Sequence, residues 1–144
     1  MRNVGYELRV GYMALLSTLS YKGKEVIAYD EIADPNDNSQ FYIVVSGQTS
    51  TDDSLKCGFS TIDLISFNII AKYQLGSGTK KDVEMIADSL LGLAIPYPGS
   101  TGLSIPSLNI WDTKKITERD LIDESSSERI ITKIITIQHK VNHI

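Results

Sequence analysis

The stretch Leu108–Ile137, LNIWDTKKITERDLIDESSSERIITKIITI, decides our interpretation of the fold. Apolar and β-branched residues are concentrated at its two ends, whereas Lys, Arg, Asp and Glu crowd the part between them. This pattern predicts a strand, then a long charged loop or protruding hairpin, and then a return strand. No catalytic groups are arranged around it. A charged projection on a small core therefore favours a protein that docks to neighbours over one that transforms a substrate.

The chain before this stretch alternates between helical and strand periodicity. Apolar residues at steps of three and four predict helices over Val4–Leu19 and Val83–Ala94. Strand patterns cover three segments between them: Lys24–Glu31, Gln40–Gln48 and Phe59–Tyr73. We therefore predict one domain over residues 1–144 with an α+β fold. Its sheet is mostly antiparallel, with four to five strands, two helices on one face and the charged hairpin or loop near the C-terminus.

Four local features refine this prediction. Gly23 is expected to end the first helix with a positive φ, and Thr79 is expected to cap the second. The polar segment Thr49–Gly58 is predicted to be a mobile loop. Asp63 interrupts the apolar row of the long strand, so we expect a bulge or break near it. If Asp63 is buried instead, its carboxylate needs a hydrogen-bonded or charged partner.

Composition excludes several classes of function. The formal net charge of −4 and the pI near 5.1 do not suit a protein whose main task is to grip nucleic-acid phosphates. The apolar runs are too short to span a membrane, and no secretory signal is expected at the N-terminus. Cys57 is the single cysteine, which precludes an internal disulfide and fits a reducing cytosol. We interpret it as a spare thiol in a loop.

A partial calcium-loop pattern begins at Asp34. Asn36 and Asn38 occupy the third and fifth positions of that pattern, but Ser39 stands where Gly is needed and Val45 where the bidentate Glu belongs. We interpret the segment as a turn rich in Asx residues.

The segment Gly76–Lys80, GSGTK, resembles a phosphate-binding loop only superficially, because the glycine spacing of the P-loop and of the dinucleotide fingerprint is missing. Simple turn chemistry is the preferred interpretation, and anion binding by the amides at a helix start is the alternative.

Catalytic chemistry finds little support. His139 and His143 are four residues apart, but they follow a β-like pattern without an evident third ligand. We interpret them as surface residues near a frayed terminus. We predict no catalytic, cofactor-binding or metal-binding residues and no cofactor, and a role other than that of an enzyme. The alternative function is a small-molecule-binding α+β domain with a pocket between sheet and helices, lined by residues such as Tyr42, Phe67 and Tyr73.

Partner contacts are predicted in the polar loop and in the charged projection. Mixed charges of this kind set the register and orientation of an interface more than its affinity, and an apolar pair among them is a candidate anchor. The loop residues are Asp52, Asp53 and Lys56; those of the projection are Lys114, Lys115, Glu118, Arg119, Asp120, Leu121, Ile122, Asp123, Glu124, Glu128 and Arg129, with Leu121 and Ile122 as the anchor. Trp111 is either a core residue or an interface anchor.

Taken together, the chain resembles the tail-completion proteins of long-tailed bacteriophages, the group that includes tail terminators and small head–tail connector proteins. The resemblance is one of pattern and spans nearly the whole chain. In order, it rests on YMALLSTL, VIAYDEI, FYIVVSGQT, STIDLISFNIIAKY, GSGTKKDVEMIADSLLGLA and a closing hairpin that ends in RIITKIITIQ. The chain departs from the family pattern at Gln40, where many relatives have Pro, and at Tyr73, where many have Trp. Its charged connection over residues 112–129 is also longer.

The resemblance implies a structural virion protein that forms an oligomeric ring, often a hexamer, at the neck between head and tail. Such a ring completes or terminates the tail and joins it to the connector. Implied partners are further copies of the chain, the tail tube protein and neck or head–tail adaptor proteins. Genomic DNA would pass through without specific binding, and no membrane is involved. The implied location is the virion tail or neck, with assembly in the host cytoplasm.

Overall fold

A five-stranded sheet organises the computed structural model, which describes residues 1–35 and 38–143. The elements follow in chain order: α1 (Gly5–Leu16), β1 (Ser20–Tyr21), β2 (Lys24–Glu25), β3 (Ile27–Asp30), β4 (Phe41–Asp52), β5 (Ser60–Gln74), α2 (Lys80–Ala94), β6 (Leu108–Glu124) and β7 (Glu128–His143). The sheet order is β3-β4-β5-β7-β6, in which only the β3–β4 pair is parallel, and β1 and β2 form a separate small hairpin. The predicted α+β fold is confirmed.

Both helices cover the same face of this sheet, as predicted. Alternate residues of β5 and β7 are fully buried, and Phe67, Ile69 and Ile135 are examples. Helix α1 contributes Tyr12, whose ring lies 4.8 Å from that of Phe67 in an edge-on contact. The intervening residues of the same strands are only half-buried, because no helix packs on their face. The core is therefore a single layer between the sheet and two helices.

The connection from α1 into the sheet differs from the prediction. The helix ends at Leu16, and Lys22 and Gly23 both have positive φ values, 52° and 76°. Two consecutive positive φ values are typical of the two-residue turn that joins a tight hairpin, here β1 to β2. The prediction that Gly23 ends the helix is therefore wrong, although its positive φ is confirmed.

The β4–β5 hairpin is longer than predicted. Strand β4 continues to Asp52, since the Thr and Ser residues of Thr49–Asp52 pair with the start of β5. The predicted loop over Thr49–Gly58 is wrong for that half. Asp63 stays in register with both neighbouring strands, so the predicted bulge there is wrong as well; the irregularity lies in β4, between Val45 and Gly47.

The predicted long charged hairpin is present, but it does not protrude from the sheet. Residues 108–143 form a long hairpin with its turn at Ser125–Ser127, and β7 pairs with β5 from Glu128 opposite Gln74 to Asn142 opposite Ser60. The charged segment is thus an edge strand of the main sheet. Its partner strand, β7, is rich in β-branched residues and buries one face in the core. Because β6 pairs with β7, it is held in the same sheet.

The turn before α2 has the local chemistry expected of it. Thr79 accepts a hydrogen bond from the backbone N–H of Lys81 at 3.1 Å, which confirms the predicted N-cap. The N–H of Ser77 donates to the Gln74 carbonyl, and Gly76 and Gly78 both have positive φ. The interpretation of this segment as turn chemistry is thereby supported. Of the partial calcium pattern, Asn36 lies outside the described residues.

Two glycines near the C-terminal end of α2 should respond in opposite ways to alanine. The Gly102 N–H donates to the Ala94 carbonyl, and a Cβ at Gly102 would lie 1.8 Å from the Leu93 carbonyl oxygen. We expect Gly102→Ala to lower the free energy of unfolding by about 2–3 kcal/mol. A Cβ at Gly92 meets nothing within 4 Å, and we expect Gly92→Ala to raise that free energy by about 0.5–1 kcal/mol. Urea unfolding curves measure both changes, and a neutral Gly102→Ala would contradict the close approach.

Candidate protein–protein interface

The candidate interface is the β6 edge, the open side of the last strand in the sheet order. Strand β6 is 17 residues long, pairs only with β7 and is mostly exposed from Lys114 to Glu124. An open edge of this length is a ready template for another chain unless side chains or a partner cover it. The charged segment that the sequence singles out therefore lies where contact with a neighbour is most accessible.

Ion pairs order the charges along the β6 edge. Lys133 of β7 is buried, and its Nζ lies 3.1 Å from Glu118 Oε1 and 2.9 Å from Asp120 Oδ1. Lys115 Nζ lies 2.7 Å from the other Glu118 oxygen. Arg129 pairs with Glu124 at 3.3 Å, beside the hairpin turn. The strand thus presents an internally compensated row of charges, since most of its carboxylates already have a cation.

The pKa values of this cluster favour the charged forms. Hydrogen bonds from Lys115 and then from Lys133 lower the pKa of Glu118, although partial burial opposes the shift. Burial disfavours the Lys133 ammonium, but its hydrogen bonds to Asp120 and Glu118 outweigh that effect and raise its pKa. Both shifts keep the cluster ionised at neutral pH, and so the row of charges is a stable property of the surface.

The predicted contact residues do not form one surface. Asp52, Asp53 and Lys56 lie at the end of the sheet where β4 turns into β5, next to the last residues of β7. Glu128 and Arg129 lie at the opposite end of β7, roughly 45–50 Å away along the strand. The remaining predicted residues, from Lys114 to Glu124, run along the β6 edge between these two ends. Any partner that contacts all of them must span the whole sheet.

Leu121 and Ile122 cannot enter one pocket together. Leu121 pairs with Thr132 on the helix-free face, whereas Ile122 pairs with Ile131, which points towards the helices. Both side chains are about half exposed. Neighbouring residues of a strand point to opposite faces of the sheet. The sequence therefore predicts that Leu121 and Ile122 are separated in this way, provided that the segment is a strand and not a loop.

Sequence interpretation missed a buried polar cluster beneath α1. His139 is fully buried, its Nδ1–H donates to the Asp63 carbonyl at 3.1 Å, and the Tyr12 hydroxyl donates to its Nε2 at 2.5 Å. The interpretation of His139 as a surface residue near a frayed terminus is wrong, because β7 remains paired to its end. Asp63 is buried too. Its carboxylate accepts a hydrogen bond from Thr61 Oγ1 at 2.6 Å, so it has the hydrogen-bonded partner that a buried carboxylate needs.

This cluster predicts a dependence of stability on pH. Burial lowers the pKa of His139 below its usual 6.5, although the carbonyl and the carboxylate of Asp63 favour the proton. Below about pH 6.5 the unfolded chain binds a proton that the folded chain does not bind. We therefore expect the free energy of unfolding to fall as the pH drops below 6.5, by at most about 1.4 kcal/mol per pH unit. Unfolding curves between pH 7.5 and 5 measure this slope.

The control for that prediction replaces each histidine separately. His139→Gln should flatten the slope in this pH range, whereas His143→Asn, at the last residue of β7, should retain it. A slope that survives His139→Gln would assign the effect to another group.

A second polar cluster joins the β1–β2 hairpin to α2. The buried Asp82 carboxylate accepts hydrogen bonds from the hydroxyls of Tyr21 at 2.6 Å and Tyr73 at 2.5 Å, and it pairs with Lys22 at 3.3 Å. Burial acts to raise the pKa of Asp82, but these three partners outweigh it and lower the pKa. The Asp82 carboxylate thus has three partners within the same chain, which indicates a structural role for this cluster.

The residues named for a ligand pocket do not converge. Phe67 points into the core beneath α1, and Tyr42 pairs with Ile70 on the opposite face of the sheet. The Tyr73 hydroxyl donates a hydrogen bond to Asp82 at the start of α2.

Across residues 1–35 and 38–143, no group of three or more His, Cys, Asp or Glu side chains is placed to hold a metal ion. Cys57 is exposed and unpaired. Within the same residues, no helix has both the length and the apolar run needed to cross a membrane.

Comparison with known proteins identifies the fold. No family model and no curated protein matches the chain. Among solved structures, the chain is similar to one chain in the virion of a native gene transfer agent (GTA) particle, with a TM-score of 0.60 and 16% sequence identity. The match covers 96% of this chain and 91% of the other. At that identity the likeness establishes a shared fold over nearly the full length of both chains.

Proposed function

We propose that this chain is a structural protein of a tailed bacteriophage or phage-like particle, and that it acts in assembly instead of catalysis. The observation that carries this proposal is the fold that it shares, nearly end to end, with a chain of a GTA virion. The sequence resemblance to tail-completion proteins is independent support. Under this proposal the protein forms an oligomeric ring, a hexamer, at the head–tail neck, where it completes or terminates the tail and joins it to the connector.

The open sheet edges favour assembly into a closed ring. Strand β6 leaves one whole edge unpaired, and at the other edge β3 covers only Tyr42–Val45 of β4. A sheet with two uncovered edges is prone to aggregate, and a ring of repeated head-to-tail contacts covers both edges of every copy.

The predicted contact residues are assigned to two sets of partners in this proposal. The charges from Lys114 to Glu124 contact the neighbouring copy, because they lie along the sheet edge. The residues at the two ends of the sheet, Asp52, Asp53 and Lys56 on one side and Glu128 and Arg129 on the other, face the tail tube protein and the neck or adaptor proteins. A subunit whose two ends differ suits a ring stacked between two different neighbours.

The net negative charge of the chain suits a ring whose central channel DNA passes through. A net charge of −4 per copy disfavours persistent binding of phosphates. We expect the purified ring to show no retention on double-stranded DNA at physiological salt. Stable binding to DNA would contradict this part of the proposal.

The proposed function can be tested in the phage or phage-like particle whose genes include the gene for this chain. Deleting the gene should yield filled heads and separate tails, or tails of abnormal length, and supplying the gene in trans should restore joined particles. Mass spectrometry of purified virions and immunogold labelling should locate the protein at the neck. Normal numbers of joined particles that lack the protein would overturn the proposal.

A further inference from the structure

The open edge of β6 is regular over only part of its length. The register with β7 jumps between Ile110 and Asp112 and again between Lys115 and Thr117, so the first part of the strand is bulged. From Thr117 to Glu124 every residue has a partner on β7 without interruption. Bulges disturb an edge for further pairing, whereas a regular stretch presents a straight row of outward N–H and C=O groups. A strand of another chain can therefore add to β6 over these residues.

Two charges in this regular stretch lack an ion pair. Its other carboxylates have Lys or Arg partners, but neither Arg119 nor Asp123 forms an ion pair among the described residues. Both are exposed, and both lie on the helix-free face with Leu121 between them, itself half exposed. A cation, an apolar residue and an anion thus follow one another along one face of the strand. This order is its own complement when two copies of the strand run antiparallel.

One antiparallel register brings the unpaired charges together. Opposed residues of a sheet point to the same face, so β6 can meet its copy only in registers that keep this parity. With a twofold axis at Leu121, Arg119 of each copy lies opposite Asp123 of the other, and the two Leu121 side chains meet. Moving the axis by one residue in either direction removes both ion pairs. In this register Glu118 lies opposite Glu124, but each of them keeps its own Lys or Arg partner.

We infer that the protein, before it assembles, forms a dimer in which two copies of β6 pair antiparallel over Thr117–Glu124 around a twofold axis at Leu121. The two five-stranded sheets become one continuous sheet, with the helices of both copies on the same side. Such an isologous contact closes on itself and covers the aggregation-prone edge of each copy. This inference goes beyond the proposed ring. The same edge cannot contact a second copy in this way and a ring neighbour at once, so the dimer is a storage form that opens on assembly.

Charge reversal with rescue tests the pairing. In sedimentation velocity the wild type should change from monomer to dimer as its concentration rises. Arg119→Asp and Asp123→Arg each place like charges opposite each other at both pairs, and each should raise the dissociation constant about tenfold or more. The double variant exchanges the two charges and should dimerise like the wild type. An equimolar mixture of the two single variants should form a heterodimer, because both ion pairs then form between unlike copies.

Cysteine crosslinking tests the register. Leu121→Cys in a Cys57→Ser background should be joined to its copy by a short bis-maleimide reagent, because the twofold axis brings this position of the two copies together. Thr117→Cys in the same background is the matched control on the same face of the strand. Its two copies would lie about eight residues apart along the paired strands, roughly 25 Å, and they should not be joined.

A charge-matched control separates this contact from a general effect of net charge. Asp88→Arg makes the same change of charge as Asp123→Arg at an exposed position of α2, and it should leave dimerisation unchanged. Circular dichroism verifies that every variant is folded. A wild type that is monomeric at all concentrations, a wild type that forms larger assemblies without a dimer, or a double variant that does not dimerise would each overturn the inference. None of these outcomes bears on the location of the protein in the particle, which deletion and labelling test separately.

Discussion

Replacing Phe67 with alanine is expected to lower the free energy of unfolding by about 3–5 kcal/mol. Phe67 lies in the middle of β5, the central strand of the sheet, and none of its side chain is exposed. Its ring packs edge-on against Tyr12, so the substitution removes a contact between α1 and the sheet as well as the buried ring itself. Chemical denaturation of the variant and the wild type measures the loss.

The matched control lies three residues further along the same strand. Ile70 has the opposite parity, pairs with Tyr42 on the helix-free face and is only half-buried. We expect Ile70→Ala to cost about 1 kcal/mol, because water already reaches part of the side chain. Equal losses at the two positions would contradict a core that lies on one face only.

The second large effect is expected from removing the countercharges of Lys133. The combined substitution Glu118→Gln and Asp120→Asn leaves the Lys133 ammonium buried on the helix side of the sheet without a carboxylate. An uncompensated buried charge is strongly destabilising, and we expect a loss of about 3 kcal/mol in the free energy of unfolding. This value is at the lower end of the usual range because the cluster borders the open β6 edge. Thermal and urea unfolding at low ionic strength measure it.

The opposite substitution should be much milder. Lys133→Met replaces the cation by an apolar side chain of similar length, and it leaves Glu118 with Lys115 as a partner. Both carboxylates are partly exposed, so water can solvate them, and we expect a change of about 1 kcal/mol or less. If Lys133→Met were as costly as the double neutralisation, the ion pairs themselves and not the burial of the cation would be the main contribution.

The candidate interface was only partly predictable. The sequence marks Lys114–Glu124 as charged and leaves it open between a long loop and a protruding hairpin, because buried strands rarely contain so many carboxylates. The segment is an edge strand instead, with β7 on one side and solvent on the other. The sequence does not decide whether Trp111 belongs to the core or to an interface; in the structure the ring is half exposed and lies over Lys140 on the helix-free face of the sheet, so that it is not a core residue.

The local sequence pattern by itself determined the α+β class and the order of the main helices and strands, but it did not include the β1–β2 hairpin. Those features depend on periodicity within a single segment, such as the alternating burial of β5 and the apolar stripe of α2. The tertiary structure alone decided which polar residues are buried. Lys133 and His139 occupy the core face of β7 because register with β5 places them there, beside Ile69 and Asp63. That register depends on partners about 65–75 residues away in the chain, and no local pattern contains it.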